Sequence, residues 1–424
     1  MKSSLFASCA AIALAASCGS VAAGTVPGKF DIKIGGDASF TALYVDQNTD
    51  GVNGIKNNQD FTNQLRLVIT PSATADNGMQ YGASMRARAW SGLGFIDADR
   101  AYTFVAANFG RIEGGLNAGP NNLYGVTAPN AFGTGGVMGD WAEGSGTTTV
   151  LNNQTTFLEP LFGNGYNKIT NSNSATRISY FTPRFFTGSD EYTGLMGYAS
   201  YVPQNLSVGT DVNRNRSLAA AADNDFCKQQ GTAPVLGCNY KNITEVGFRY
   251  DGSFNGFGVV AGAAFEHGDA SASAATNPNG FNDLEAFQFG VQLSYAGVTI
   301  GSSYLNAGKS AYSRNPALRL EDQSVITAGI TYDIGPVVVG FNYAHGEDAG
   351  DPTVVGRRRA DLYSVGATYT VAPGLTTSLE YLKSNTTNET GFATDALGNN
   401  ASGTLTGFGS GDADVILWKS MVTF

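Results

Sequence analysis

The sequence predicts an all-β chain closed into a sixteen-stranded antiparallel barrel that crosses a bilayer. Three observations predict it: period-two alternation, strands of membrane-spanning length, and two alternating kinds of connection. In FDIKIGGDASFTALY the even positions Phe30, Ile32, Ile34, Ala38, Phe40 and Ala42 are apolar, while Asp31, Lys33, Asp37, Ser39 and Thr41 take the odd ones. The same reading sets Phe287, Phe289, Val291, Leu293 and Tyr295 against Gln288, Gly290, Gln292 and Ser294. It recurs with Tyr363, Val365, Ala367 and Tyr369 against Ser364, Gly366, Thr368 and Thr370. A soluble sandwich alternates too, so length decides. The segments run for about 10 to 14 residues, beyond the usual five or six of globular sheets and suited to tilted strands in a bilayer.

From the N-terminus, MKSSLFASCAAIALAASCGSVAAG has Lys2, an apolar core from Ala10 to Ala16, and small residues at Val21 and Ala23. This is the pattern of a secretory leader, residues 1–23, cut after Ala23. Cys18 after Ala16-Ser17 leaves a lipoprotein leader as the alternative. Cys9 and Cys18 depart with the leader, and Cys227 and Cys238 remain. Close spacing in an oxidising compartment reads as one loop disulfide; a metal pair is the alternative, with no His or further Cys nearby to complete it. No cofactor is implied. Residues 24–424 read as one domain, since no linker or compositional break divides them. Beyond the leader no apolar run could cross a bilayer as a helix. The formal charge of −10 becomes −11 once Lys2 is removed, which argues against nucleic acid and, in a lumen, favours cations weakly.

Short turns fall at Asp76-Asn77-Gly78, Phe109-Gly110, Thr187 to Asp190, Asn255-Gly256, Ala296-Gly297, Gly335-Pro336 and Pro373-Gly374, with the residues tight hairpins demand. Long polar loops lie near 46–60, 91–99, 118–176, 205–242, 268–283, 308–321, 347–357 and 386–411. Seven turns and eight loops join sixteen strands, the plan of an outer-membrane barrel with short periplasmic turns and long extracellular loops. The last segment, Asp412 to Phe424, then pairs with the first, so that no edge faces lipid. Tyr295, Tyr343, Tyr369 and Trp418 are expected in the aromatic girdles.

Two stretches carry a family resemblance: the terminal DVILWKSMVTF ending on Phe424, and RAYTFVAANFGRIEGGL from Arg100 to Leu116. On these, with the strand plan and leader, the chain resembles the Gram-negative general porins. The resemblance implies an outer-membrane homotrimer, among lipids and lipopolysaccharide, passively passing small hydrophilic solutes and ions. It also implies that the barrel-assembly machinery reads Phe424, and that the third extracellular loop, here 118–176, folds into the barrel and sets acidic residues against basic ones.

Alternation supplies the basic side. In FTNQLRLVIT the apolar set Phe61, Leu65, Leu67 and Ile69 places Arg66 on the other face with Thr62 and Gln64. In MQYGASMRARAW, Arg86 and Arg88 share a face with Gln80 and Ser84, and counting back from Asn77-Gly78 levels them with Arg66. On the lipid face each would cost roughly 2–4 kcal/mol, so they are expected inside. Arg100 is a further candidate whose parity is shared by Tyr102 and Phe104. Asp140, Glu143 and Glu159, in the Gly-rich 118–176 loop, are the expected acidic side, and the opposing charges would set a transverse field. The plainer reading makes both sets solvated wall and loop charges.

Other features compete. DQNTDGVNGIKN has Asp46, Asn48, Asp50 and Gly51 at calcium-loop spacing, but Asn57 stands where a bidentate Glu is needed, so no metal site is expected. Arg357 to Arg359 reads as a solvated rim that could attract anions or lipopolysaccharide phosphates. A substrate-selective channel is the nearest alternative function. A barrel enzyme is a more distant one, since His267 and His345 at outer strand ends show no matching serine pattern. An adhesin or anchor would predict no conductance.

Overall fold

The computed structural model describes residues 30–47, 59–90, 96–133, 136–138, 175–186, 193–204, 238–272, 280–310, 314, 321–348, 357–388 and 411–424. The expected leader, Asp140, Glu143, Glu159, Cys227, the turn at 187–190 and residues 48–57 lie outside them.

The strands are β1 (Asp31–Gln47), β2 (Gln59–Thr74), β3 (Gln80–Trp90), β4 (Asp97–Ala107), β5 (Gly110–Asn117), β6 (Ala175–Phe181), β7 (Gly194–Gln204) and β8 (Cys238–Phe254). They continue as β9 (Phe257–Ala272), β10 (Leu284–Tyr295), β11 (Val298–Gly308), β12 (Gln323–Ile334), β13 (Val337–Asp348), β14 (Arg358–Ala372), β15 (Leu375–Asn388) and β16 (Gly411–Thr423). After β5, among the described residues, come a short helix, α1 (Pro120–Tyr124), and a 3₁₀ turn, Gly136–Met138. Every strand pairs antiparallel with its sequence neighbours, and β1 pairs with β16, so the sheet is a closed barrel of sixteen strands. The seam runs from Asp37 opposite Thr423 to Gln47 opposite Ala413. Two backbone bonds of 2.9 and 3.0 Å between Gly36 and Phe424 extend it to the last residue. Closure gives each strand two partners, as a hydrocarbon setting requires of every backbone N–H and C=O.

Alternation sets the faces. Ile32, Ile34, Phe61, Phe289, Val365 and Leu379 stand exposed on the outer wall, while Arg66, Gln288, Asn342 and Ser364 point in. Tyr295, Tyr369 and Trp418 are among the exposed girdle aromatics, and Tyr343 stacks obliquely on Tyr363 at 5.0 Å. At the short-turn end Asn255-Gly256 and Ala296-Gly297 both take positive φ at the two central positions, the geometry that matches the twist of the flanking strands. Ala296, at φ 48, does so without the freedom of glycine.

The inner wall departs from simple alternation at the long-loop end. There Leu43, Val45, Leu305, Leu382, Val415 and Leu417 face inward and are buried in one apolar cluster with Val137 of the 3₁₀ turn. Both faces of those strand ends are therefore apolar. The sequence reading of one apolar and one polar face holds for most of the lower and middle wall, the exception being β6–β7, where Phe181, Met196 and Tyr198 form a second buried apolar cluster.

Candidate functional site: the arginine wall and the seated loop

Arg66 on β2 stands opposite Arg88 on β3, and on its other side opposite Asp37 of β1. Its Nε donates to both Asp37 oxygens at 2.9 Å. Arg86, two residues below Arg88, stands opposite Arg100 of β4. The expected basic cluster is thus brought together on three adjacent strands.

An acid that alternation did not assign sits within it. The β3–β4 ladder slips at Arg86/Ala87: Arg86 faces Arg100 and Ala87 faces Ala98, leaving Asp99 as an extra residue. A bulge of this kind puts two residues against one and re-aims a side chain. Asp99 is accordingly buried on the inner face, accepting from Arg86 Nε at 2.7 Å and from Arg88 Nη1 at 3.4 Å. The signal available was the crowded DADR at 97–100, where strict parity would send Asp97 and Asp99 to lipid. Four arginines against Asp37 and Asp99 leave this wall with two surplus positive charges.

The shared parity of Arg100, Tyr102 and Phe104 resolves because this strand carries aromatics inside. Phe104 is buried beneath the Arg111 guanidinium, 3.9 Å from its ring centre. Nearby, Tyr124 of α1 packs on Phe181 and Tyr198 at 5.5 and 5.8 Å. At the short-turn end Arg111 pairs with Glu113, and Arg184 and Arg249 both pair with Asp251. The basic wall so descends from mid-lumen on β2–β4 to the mouth at β5–β8.

The first part of the 118–176 connection lies inside the barrel. Its root is fixed by a buried ion pair, Arg177 of β6 to Glu245 of β8 at 2.5 Å, each side chain 1% exposed. Arg177 also donates to Ser200 Oγ and to the Asn117 carbonyl, and Glu245 accepts the Asn121 N–H. From there the chain follows the wall facing the arginines. Gln288 Nε2 donates to the Val126 carbonyl at 3.2 Å and Gln292 Nε2 to the Thr127 carbonyl at 2.8 Å. The Ala128 N–H donates to Thr327 Oγ1, Asn342 Nδ2 to the Pro129 carbonyl, and the Gly133 N–H to Thr368 and Ser378 hydroxyls.

Both histidines are on the outer surface near the long-loop rim. His345 Nδ1 lies 2.8 Å from Asp361 and its Nε2 3.8 Å from Glu347, and His267 lies 3.7 Å from Asp269 and 4.0 Å from Glu285. Both ring nitrogens thus face carboxylates rather than a nucleophile. Arg357 and Arg359 pair with Glu347 on the same rim. Among the described residues no group of three or more His, Cys, Asp or Glu is arranged to hold a metal ion. Cys238 opens β8 opposite Ala272.

Comparison with known proteins gives three results. A family model described as Gram-negative porin matches residues 10–389. An uncharacterized protein of Rickettsia conorii is 20% identical over 371 residues, covering 80% of this chain and 75% of that protein. Among solved structures, the chain is similar in fold to the anion-selective porin from Comamonas acidovorans, at TM-score 0.54 and 14% identity, covering 93% of this chain and all of that one. It is also similar to a mutant Rh. blastica porin, at TM-score 0.51 and 16% identity, covering 93% and 100% of the two chains. The trimer form of OmpT, an outer membrane protein of Vibrio cholerae, matches at TM-score 0.50 and 12% identity, covering 93% and 99%.

Proposed function

From the premise that the chain belongs to the Gram-negative porin family and forms an outer-membrane channel, we propose that small hydrophilic solutes and ions diffuse through it passively, with a preference for anions at the narrowing. The observation that carries the reading is the closed barrel in which Arg66, Arg86, Arg88 and Arg100 face an inward-folded loop across the lumen. The sign follows from range. In physiological salt fixed charges act over about 8 Å, so the nearest wall decides, rather than the negative whole-chain total that favours cations. The carboxylates Asp140, Glu143 and Glu159 remain the proposed opposing charges of the loop, weakening that preference and orienting polar solutes.

The protein acts as a homotrimer embedded among lipids and lipopolysaccharide, is delivered by a leader removed after Ala23, carries a Cys227–Cys238 loop disulfide, and is folded by assembly machinery that engages Phe424. It performs no catalysis: the carboxylate surroundings of His267 and His345 suit rim ion pairs, not a nucleophile's base.

The test is a planar bilayer under a salt gradient. Ohmic steps with a reversal potential of anionic sign support the proposal. A cationic sign would overturn the selectivity, and folded protein without conductance would overturn diffusion in favour of an anchor or enzyme.

A further inference from the structure

Inward glycines occupy neighbouring strands at the level where the loop crosses. A Cβ built on Gly290 would come 2.1 Å from the Val126 carbonyl oxygen. On Gly262 it would be 3.0 Å from Val126 Cγ2 and from the Phe248 carbonyl oxygen, on Gly329 2.5 Å from Asn342 Nδ2 and 3.1 Å from the Pro129 carbonyl oxygen, and on Gly340 3.0 Å from Ala131 Cβ and from the Ile330 carbonyl oxygen. These positions are linked by register: Gly262 faces Gly290 across β9–β10, and Gly329 faces Asn342 across β12–β13.

Each relief lies beside a polar group on the same face. Gln288 and Gln292 flank Gly290, Thr327 precedes Gly329 by two, and Asn342 follows Gly340 by two. All four polar side chains bond loop residues 126–129. Glycine brings the loop backbone within reach of the wall, and the neighbouring amide or hydroxyl then fixes its position. Further along the loop, Val137 is embedded in the apolar cluster of the inner wall.

We propose that this run of glycines and polar residues on β9–β13 is a seat that sets the aperture of the channel. The wall remote from the arginines thereby determines how far the loop stands from them, and so which solutes pass by size. The inference rests on the channel reading above. Ordinary contact begins at 3.4 Å, so a methyl on Gly290 must displace the loop by 3.4 − 2.1 = 1.3 Å. The open space beyond it is the lumen, so the displacement narrows the passage.

The experiment compares Gly290→Ala with Gly114→Ala, whose Cβ would meet nothing within 4 Å. Gel mobility first shows that both barrels are folded. Unit conductance and the size cut-off for a series of neutral sugars are then measured beside the parent protein. In parallel, chymotrypsin cleavage after Tyr124 and Phe132 reports whether the loop is still held against the wall.

The expected result is lower conductance and a smaller cut-off for Gly290→Ala alone. Gly290→Ala with parental conductance, cut-off and cleavage would overturn the seat. A parent without conductance would overturn the channel reading instead. The seat would then be judged by cleavage alone, supported if Gly290→Ala exposes Phe132 and overturned if the two proteins are cut alike.

Discussion

Replacing Arg177 by Met tests whether the loop root depends on its buried ion pair. Arg177 and Glu245 side chains are each 1% exposed, so the substitution leaves the Glu245 carboxylate shielded from solvent without its cationic partner, with the Asn121 N–H still donating to it. It also removes the bonds to Ser200 and the Asn117 carbonyl. Two unit charges about 4 Å apart at an effective dielectric near 20 interact by about 4 kcal/mol, and breaking one side of a buried pair costs about 3–5 kcal/mol. The expected loss for Arg177→Met is therefore about 3–5 kcal/mol.

Arg177→Met/Glu245→Leu should cost less than Arg177→Met alone, since the apolar pair strands no charge. The assay is urea unfolding of protein refolded into lipid bilayers, followed by tryptophan fluorescence and gel mobility. A loss below about 1 kcal/mol for Arg177→Met, the scale of an exposed pair, would refute the reasoning. So would a double variant as unstable as the sum of the two singles.

Three further outcomes are expected. Arg88→Glu leaves the cluster with Arg66, Arg86 and Arg100 against Asp37, Asp99 and the new carboxylate, so the reversal potential should move towards cations at low salt, with a smaller shift in 1 M salt, where screening reaches about 3 Å. Ala296→Asn turns the Ala296-Gly297 hairpin into the Asn-Gly type already present at 255–256, and should raise stability by about 0.5–1 kcal/mol in the same urea titration. Replacing His267 and His345 together by Gln should leave unit conductance unchanged; a hydrolytic activity that disappears with them would instead favour an enzyme.

Much of the fold was legible because a barrel wall is built from local rules. Phe289 outside and Gln288 inside follow from parity alone, and Asn255-Gly256 announces its hairpin. The basic cluster was legible for the same reason: Arg66, Arg86 and Arg88 sit on polar faces counted from one turn. Asp99 was not, because a bulge breaks the count by which a side would be assigned to it. The inward aromatics Phe181 and Tyr198 also escaped, since their packing against Tyr124 of α1 depends on where a loop goes. The glycines were visible as letters only. Their common height depends on register across β9–β13, which a single strand does not carry.

The seam between Gly36 and Phe424 joins residues 424 − 36 = 388 positions apart. That makes closure the most non-local pairing in the barrel, so the outer edge of the first strand stays open until the last strand arrives. Throughout that interval its ladder groups are a template for any other strand in the compartment. Asp31, Lys33 and Asp37, spaced along its inward face, place charge where a stray strand would have to bury it. Completion thus belongs to the end of the chain's journey, and the residues that guard the wait are those that later line the water.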